Sequence, residues 1–313
     1  MLEVTTLGWA VTIAVILGLF ALDLFVAGGR AHVVGFREAV GWSVFYIGVA
    51  LAFGVVLGVV AGWGSGAEYF AGYVVEKSLS ADNLFVFVIL MSTLAVPAEH
   101  QQRVLTFGIL AALVLRAIFI ALGAALLALF SVTFLLFGLL LIFTAVQLFR
   151  HRDQQPSVER NPLVTAAQRL LPFTDTYHGN RLLVRLDGRR VFTPLALALV
   201  AIAGIDVVFA LDSIPAVFGV TEEAFIVFTA NAFALLGLRA LYFLVSGLLD
   251  RLIYLSAGLS VVLAFIGVKL VLHYLHDVDG SIPEIPTGLS LAVIVLVLAA
   301  TTAASLARQP ARR

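Results

Sequence analysis

Seven charged side chains lie inside otherwise apolar stretches of this sequence: Asp23, Glu76, Asp82, Asp206 and Asp212, with Arg116 and Arg239. Four of the acids form two matched pairs. Glu76-Lys-Ser-Leu-Ser-Ala-Asp82-Asn83 and Asp206-Val-Val-Phe-Ala-Leu-Asp212-Ser213 each separate two acids by five residues and continue with a small polar residue. A charged residue at the centre of a membrane helix costs about 2.5–3.5 kcal/mol, so seven left alone would cost roughly 20 kcal/mol. A whole domain is stable by only about 5–15 kcal/mol. These groups must therefore be paired, protonated, hydrated or ligated. Five acids face two arginines, and Lys77, nearer a span end, offsets one more. The remaining surplus of about two negative charges matches one divalent cation, and it can also be discharged by protons, because burial favours the neutral carboxyl. Acids that trade a cation for protons make an antiporter. The competing reading is a buried ion-pair network that fixes helix packing, with Arg116 and Arg239 as counter-charges.

The elements that must carry these residues are membrane helices. Of the 313 residues, 62% are hydrophobic and only 12% charged, against roughly 25% charged in soluble domains. Nine stretches have spanning length: 7–27, 40–62, 69–96, 102–129, 131–149, 194–220, 223–248, 252–274 and 287–307. The fold expected is an all-α, polytopic transmembrane helix bundle forming one domain over 1–313. Met1 to Gly8 carry no Lys or Arg, so a cleaved signal peptide is not expected. With the N-terminus outside and the C-terminus inside, fifteen of the nineteen basic residues fall in inner segments, eight of them between Arg150 and Arg190. The other four (Lys77, Arg116, Arg239 and Lys269) lie within spans, and the outer loops carry acids such as Glu68, Glu222, Glu223 and Glu284. That asymmetry is the positive-inside pattern. The sequence has no Cys, which excludes thiol redox chemistry and thiolate metal sites.

The acid pairs belong to an internal repeat. Thr106 to Arg116-Ala117 matches Thr229 to Arg239-Ala240 at identical spacing. Spans 3–5 thus resemble spans 6–8, and an odd offset gives them opposite topology. Inverted repeats build secondary transporters, with a site near the midplane and often broken helices. Residues six apart in a helix lie on different faces. The acids of a pair therefore face different neighbours or flank a break, which Pro215, Ser78, Ser80 and Asn83 could promote. Broken helices in spans three and six are expected. With span three running inward and span six outward, Glu76 pairs in level with Asp212 near the outside, and Asp82 with Asp206 and Asp23 near the inside. Asn231 is expected to hydrogen-bond between helices.

The connection 150–193 reads as an Arg-rich cytoplasmic loop ending in a β-hairpin that turns at Asp187-Gly188. His273, His276, Asp277 and Asp279 read as an outer, solvated loop. No nucleotide-binding, nucleophile–base or zinc-protease motif appears, so neither an ATP-driven pump nor an enzyme is expected, and no nucleic-acid partner.

At the acidic segments, and at Ala31-His-Val-Val-Gly-Phe-Arg-Glu-Ala39, Phe209-Ala-Leu-Asp212-Ser-Ile-Pro-Ala216 and Tyr177-His-Gly-Asn-Arg181, the sequence resembles the TerC family of integral membrane proteins. The resemblance covers about residues 20–275. It implies a bacterial cytoplasmic-membrane protein similar to manganese exporters and to LysE-type transporters. It places a metal site on Asp23, Glu76, Asp82, Asp206 and Asp212, with Asn83, Ser213, Asn231, Arg116, Arg239 and Lys77 in support. Hard oxygen donors suit Mn²⁺, Mg²⁺ or Ca²⁺ better than Zn²⁺ or Cu⁺. The metal would be cargo, not a fixed cofactor. Two other functions fit the sequence: a non-transporting factor in tellurite or envelope stress resistance or membrane protein biogenesis, and an exporter of small organic solutes. Protein partners are not legible.

Overall fold

In lipid a backbone must satisfy its own hydrogen bonds, so long apolar stretches fold as helices. The computed structural model describes residues 4–27, 35–94, 96–151, 172–174, 176, 179, 181–186, 189–245 and 254–307. Among these residues run α1 (Thr6–Ala27), α2 (Phe36–Ala61), α3 (Trp63–Thr93), α4 (Ala98–Leu129), α5 (Val132–His151), β1 (Leu183–Leu186), β2 (Arg189–Phe192), α6 (Pro194–Phe218), α7 (Ala224–Leu235), α8 (Leu238–Val245), α9 (Leu255–Val278) and α10 (Thr287–Ala307). Seven helices are long and apolar enough to cross a membrane, and α7 with α8 makes an eighth, bent by 41°. The 31-residue α3 has the length but is the least apolar of the long helices, because it carries Glu68, Glu76, Lys77 and Asp82. Val44, Val56 and Val60 of α2 and Leu136 and Phe143 of α5 stand exposed, as lipid-facing residues must. The molecule is a polytopic helical bundle.

The acid-bearing α3 is its hub, packed by α2, α6, α7, α8 and α10. Gly62 alone separates α2 from α3, and its φ of 95° makes the reversal possible. This removes the outer loop expected before residue 69, so Glu68 lies within α3. Nor do α3 and α6 break at their acids, as expected; both are continuous. The Ser78 hydroxyl donates back to the Val74 carbonyl at 2.7 Å without opening the helix. Pro215 sits in the last turn of α6, where it withdraws the donor to the Leu211 carbonyl while the helix still runs on to Phe218. The break falls instead between α7 and α8, where Gly237 has φ 76°. Lys77 closes it by donating to the carbonyls of Ala234 at 3.0 Å and Leu236 at 3.3 Å.

The contact between α5 and α9 is reciprocal. A Cβ on Gly138 would meet the Gly267 carbonyl at 2.8 Å and Val271; a Cβ on Gly267 would meet the Gly138 carbonyl at 2.8 Å and Ile142. Backbone on both sides leaves nothing to yield. Gly267→Leu is therefore expected to separate these helices and cost about 3 kcal/mol or more, as overpacking does, read as a lower midpoint of thermal unfolding in detergent. A midpoint equal to wild type would show that the contact is looser than it stands.

Strands β1 and β2 pair antiparallel, with Leu186 opposite Arg189. The Thr193 hydroxyl donates to the Arg181 carbonyl at 2.7 Å, tying the ribbon to the start of α6. The expected turn at Asp187-Gly188, most of the loop at 152–171, and segment 28–34 lie outside the described residues.

Candidate functional site

Three helices assemble the principal cluster. Gly72 of α3 lies against Val217 of α6, with 3.1 Å between a Cβ placed there and the valine methyl. From that contact α3 runs on to Glu76 while α6 runs back to Ser213 and Asp206, so the two are antiparallel. Between them α4 inserts Arg116, only 1% exposed. Its Nε and Nη2 donate to Asp206 Oδ2 and Oδ1, both at 3.1 Å. Its Nη1 donates to Glu76 Oε1 and, at 3.2 Å, to Ser213 Oγ. Ser80 adds a hydroxyl donor to Glu76 Oε1 at 3.3 Å. Forked guanidinium–carboxylate contacts are strong and fix geometry. Glu76 and Asp206 are 0% and 3% exposed. Yet one positive charge serves two carboxylates, and Glu76 Oε2 is buried with no hydrogen-bond partner among the described residues.

Counted from the Gly72–Val217 contact, Glu76 lies four residues along α3 and Ser213 four back along α6, so Glu76 stands level with Ser213 and Asp212. Positions 82 and 206, ten and eleven residues from that contact, stand level with each other about 9 Å further on. Arg116 bridges the two levels, meeting Glu76 and Ser213 at one and Asp206 at the other. Asp212 is half-buried and forms no ion pair among the described residues; Glu76 and Arg116 are its charged neighbours. The side chain of Asp82 lies outside the described residues. Asn83 is buried in α3.

Asp23 does not join the Arg116 cluster. Arg239 of α8 donates to Asp23 Oδ1 at 2.9 Å, and the Tyr46 hydroxyl of α2 donates to the same oxygen at 3.0 Å. Tyr46 is a partner that the pattern of charges does not mark. Its depth, ten residues into α2, was the available signal.

Asn231 also departs from expectation. It is buried in α7, and both amide atoms lack a hydrogen-bond partner among the described residues. An unpaired buried amide costs about 1–3 kcal/mol. Asn231→Leu is thus expected to raise the thermal midpoint of the detergent-solubilised protein. A lower midpoint would mean that water or a ligand satisfies the amide.

Among the described residues no three Asp, Glu or His side chains stand together as a preformed metal cage. A second polar region lies at the other end of α6. A cavity of about 460 Å³ is lined by residues including Glu68, Thr221, Glu222, Lys269, His273 and Glu284. His273 lies in α9 and not in a loop as expected, since that helix continues to Val278. Its ring reaches Glu284 at 2.7 Å and Glu222 at 3.2 Å. The His273 contact holds the Glu222 carboxyl below its usual range.

Fold and site together define a multi-pass membrane protein whose interior is cross-braced by carboxylate–guanidinium clusters. The chain belongs to the TerC family: residues 61–313 match the family described as integral membrane protein TerC. A membrane protein of Mycobacterium tuberculosis is 46% identical over 311 residues, 95% of this chain and 78% of the relative. The chloroplastic thylakoid membrane protein TERC of Arabidopsis thaliana is 44% identical over 252 residues, 80% of this chain and 64% of the relative. The putative membrane-bound redox modulator Alx of Salmonella typhi is 38% identical over 307 residues, 95% of this chain and 93% of the relative. No solved structure matches the chain.

Proposed function

We propose that this protein is a secondary exporter of hard divalent cations, with Mn²⁺ as the favoured cargo, in a bacterial cytoplasmic membrane. The observation that carries this reading is the pair of buried carboxylates, Glu76 and Asp206, brought from two antiparallel helices onto one cation and left with an unpartnered oxygen. Carboxylate and hydroxyl oxygens are the ligands of such ions. Asp212, and Asp82 on α3, extend a line of acids along the two helices, a path along which an ion could step.

The architecture supports alternating access. Spans 3–5 and 6–8 form the inverted repeat, and α5 and α9 are its third elements. Their reciprocal glycine contact is the form a two-fold axis between them would give. Nine spans follow if α3 crosses along with the seven apolar helices and the bent pair. The N-terminus is then outside and the C-terminus inside. Protons returning to the acids after release would make the cycle an antiport. The bilayer and the ion are the partners, and no enzymatic step is assigned. A redox role of the kind named for the Salmonella relative could not use thiols of these 313 residues, which contain no Cys.

The test is flux. Purified protein in liposomes, oriented by protease protection, is assayed for uptake of Mn²⁺, Mg²⁺ and Ca²⁺ with and without a pH gradient. Saturable, protein-dependent Mn²⁺ movement accelerated by an opposing proton gradient is expected. Flux of amino acids without metal would favour the organic-solute reading. No flux of either kind would favour a non-transporting factor.

A further inference from the structure

Resting on the proposed cation transport, we infer that Arg116 is a tethered counter-ion that holds the transport site closed to metal and must leave Glu76 and Asp206 for a divalent cation to bind. The guanidinium and the ion compete for the same oxygens. A divalent ion of this class takes about six or more oxygen ligands. Near Arg116 the carboxylate and hydroxyl oxygens are those of Glu76, Ser80, Asp206, Asp212 and Ser213. Arg116 already engages Glu76 Oε1, both oxygens of Asp206 and Ser213 Oγ. Only Glu76 Oε2, Ser80 Oγ and the Asp212 carboxyl remain, too few for a cage while Arg116 stays. This explains why no preformed metal cage stands among the described residues although carboxylates are close together.

The unpartnered Glu76 Oε2, on a side chain 0% exposed, is the oxygen an incoming ion meets first. Asp212 is where the displaced guanidinium goes. It forms no ion pair among the described residues, and Arg116 is already one of its charged neighbours. In this exchange Arg116 passes from Asp206 and Glu76 to Asp212 while the ion takes the vacated oxygens. Release of the ion returns the arginine to its clamp. The buried carboxylates are therefore never uncompensated in a low-dielectric interior, where unpaired charge is costly. A tethered cation also sets the affinity: strong enough competition keeps binding weak and release fast.

The deciding measurement is Mn²⁺ binding to the purified full-length protein in detergent, by titration calorimetry, beside Mn²⁺ flux in liposomes. Arg116→Gln removes the competitor while keeping an amide donor. It is expected to bind Mn²⁺ about tenfold or more tightly, as loss of a charge repelling a nearby cation predicts, and to turn over more slowly because release is slowed. Arg116→Lys keeps the charge but cannot fork across two carboxylates; it is expected to fall between wild type and Arg116→Gln in affinity. If Arg116→Gln does not fold, the Arg116→Lys affinity decides. Affinity equal to or weaker than wild type in the folded variant, with wild-type protein binding and moving Mn²⁺, overturns the counter-ion role and leaves the transport reading intact. Wild-type protein that neither binds nor moves a divalent cation overturns both.

Discussion

Glu76→Gln and Asp206→Asn are each expected to leave a folded, membrane-inserted protein that moves no Mn²⁺ above the protein-free background. The amides keep nearly the volume of the acids and still accept a hydrogen bond from Arg116, so the α3–α4–α6 packing retains its central contact. What they lose is charge. A unit charge about 4 Å from an ion contributes about 4 kcal/mol at an effective dielectric near 20, roughly a thousandfold in affinity. Removing either acid also leaves Arg116 facing one carboxylate, a neutral pair with no surplus to attract a cation. A reading in which the cluster only braces the helices predicts the opposite ordering: unchanged function wherever the fold survives. Export at the wild-type rate by either folded variant would remove these residues from the site. Asp82→Asn and Asp212→Asn in the same assay would show whether the other acid of each pair belongs to the path.

Asp23→Ala is expected to show the second large effect, on stability. It strands Arg239, which is 4% exposed and keeps no other carboxylate among the described residues. Breaking a buried pair by deleting one member costs about 3–5 kcal/mol, because the remaining charge is left in a low-dielectric interior. The loss reads as a lower thermal midpoint in detergent. Asp23→Leu combined with Arg239→Leu should recover much of it, since removing both charges can be neutral or stabilising. If the single variant melts like wild type, Arg239 has found another partner and the pair is not a brace. If it melts lower and the double variant restores stability but not Mn²⁺ flux, Asp23 serves transport as well as packing.

The sequence alone determined that this is a membrane helix bundle, because no chain this apolar can clothe itself for water. It also determined which residues are exceptional, since charges inside spans stand out against their surroundings, and the repeated acid spacing marked Glu76 and Asp206 as counterparts. Composition removed thiol chemistry altogether. What it could not give was the place of Arg116 between α3 and α6. That is set by the packing of α4, such as Gly108 on Ile202, and a shift of a single turn would change which acids the guanidinium meets. The same limit applies to the break. Pro215 and the serines of α3 were the visible helix breakers, yet α6 runs on past the one donor that Pro215 withdraws, and the Ser78 hydroxyl bonds the preceding turn without opening α3. Gly237, one glycine among twenty-six, became the hinge only because Lys77 from another helix satisfies its orphaned carbonyls. Only the tertiary structure decided that Arg116 clamps two acids while Arg239 and Tyr46 hold Asp23. Which cation meets which carboxylate depends on where three helices cross, and no spacing along one chain encodes a distance across the bundle.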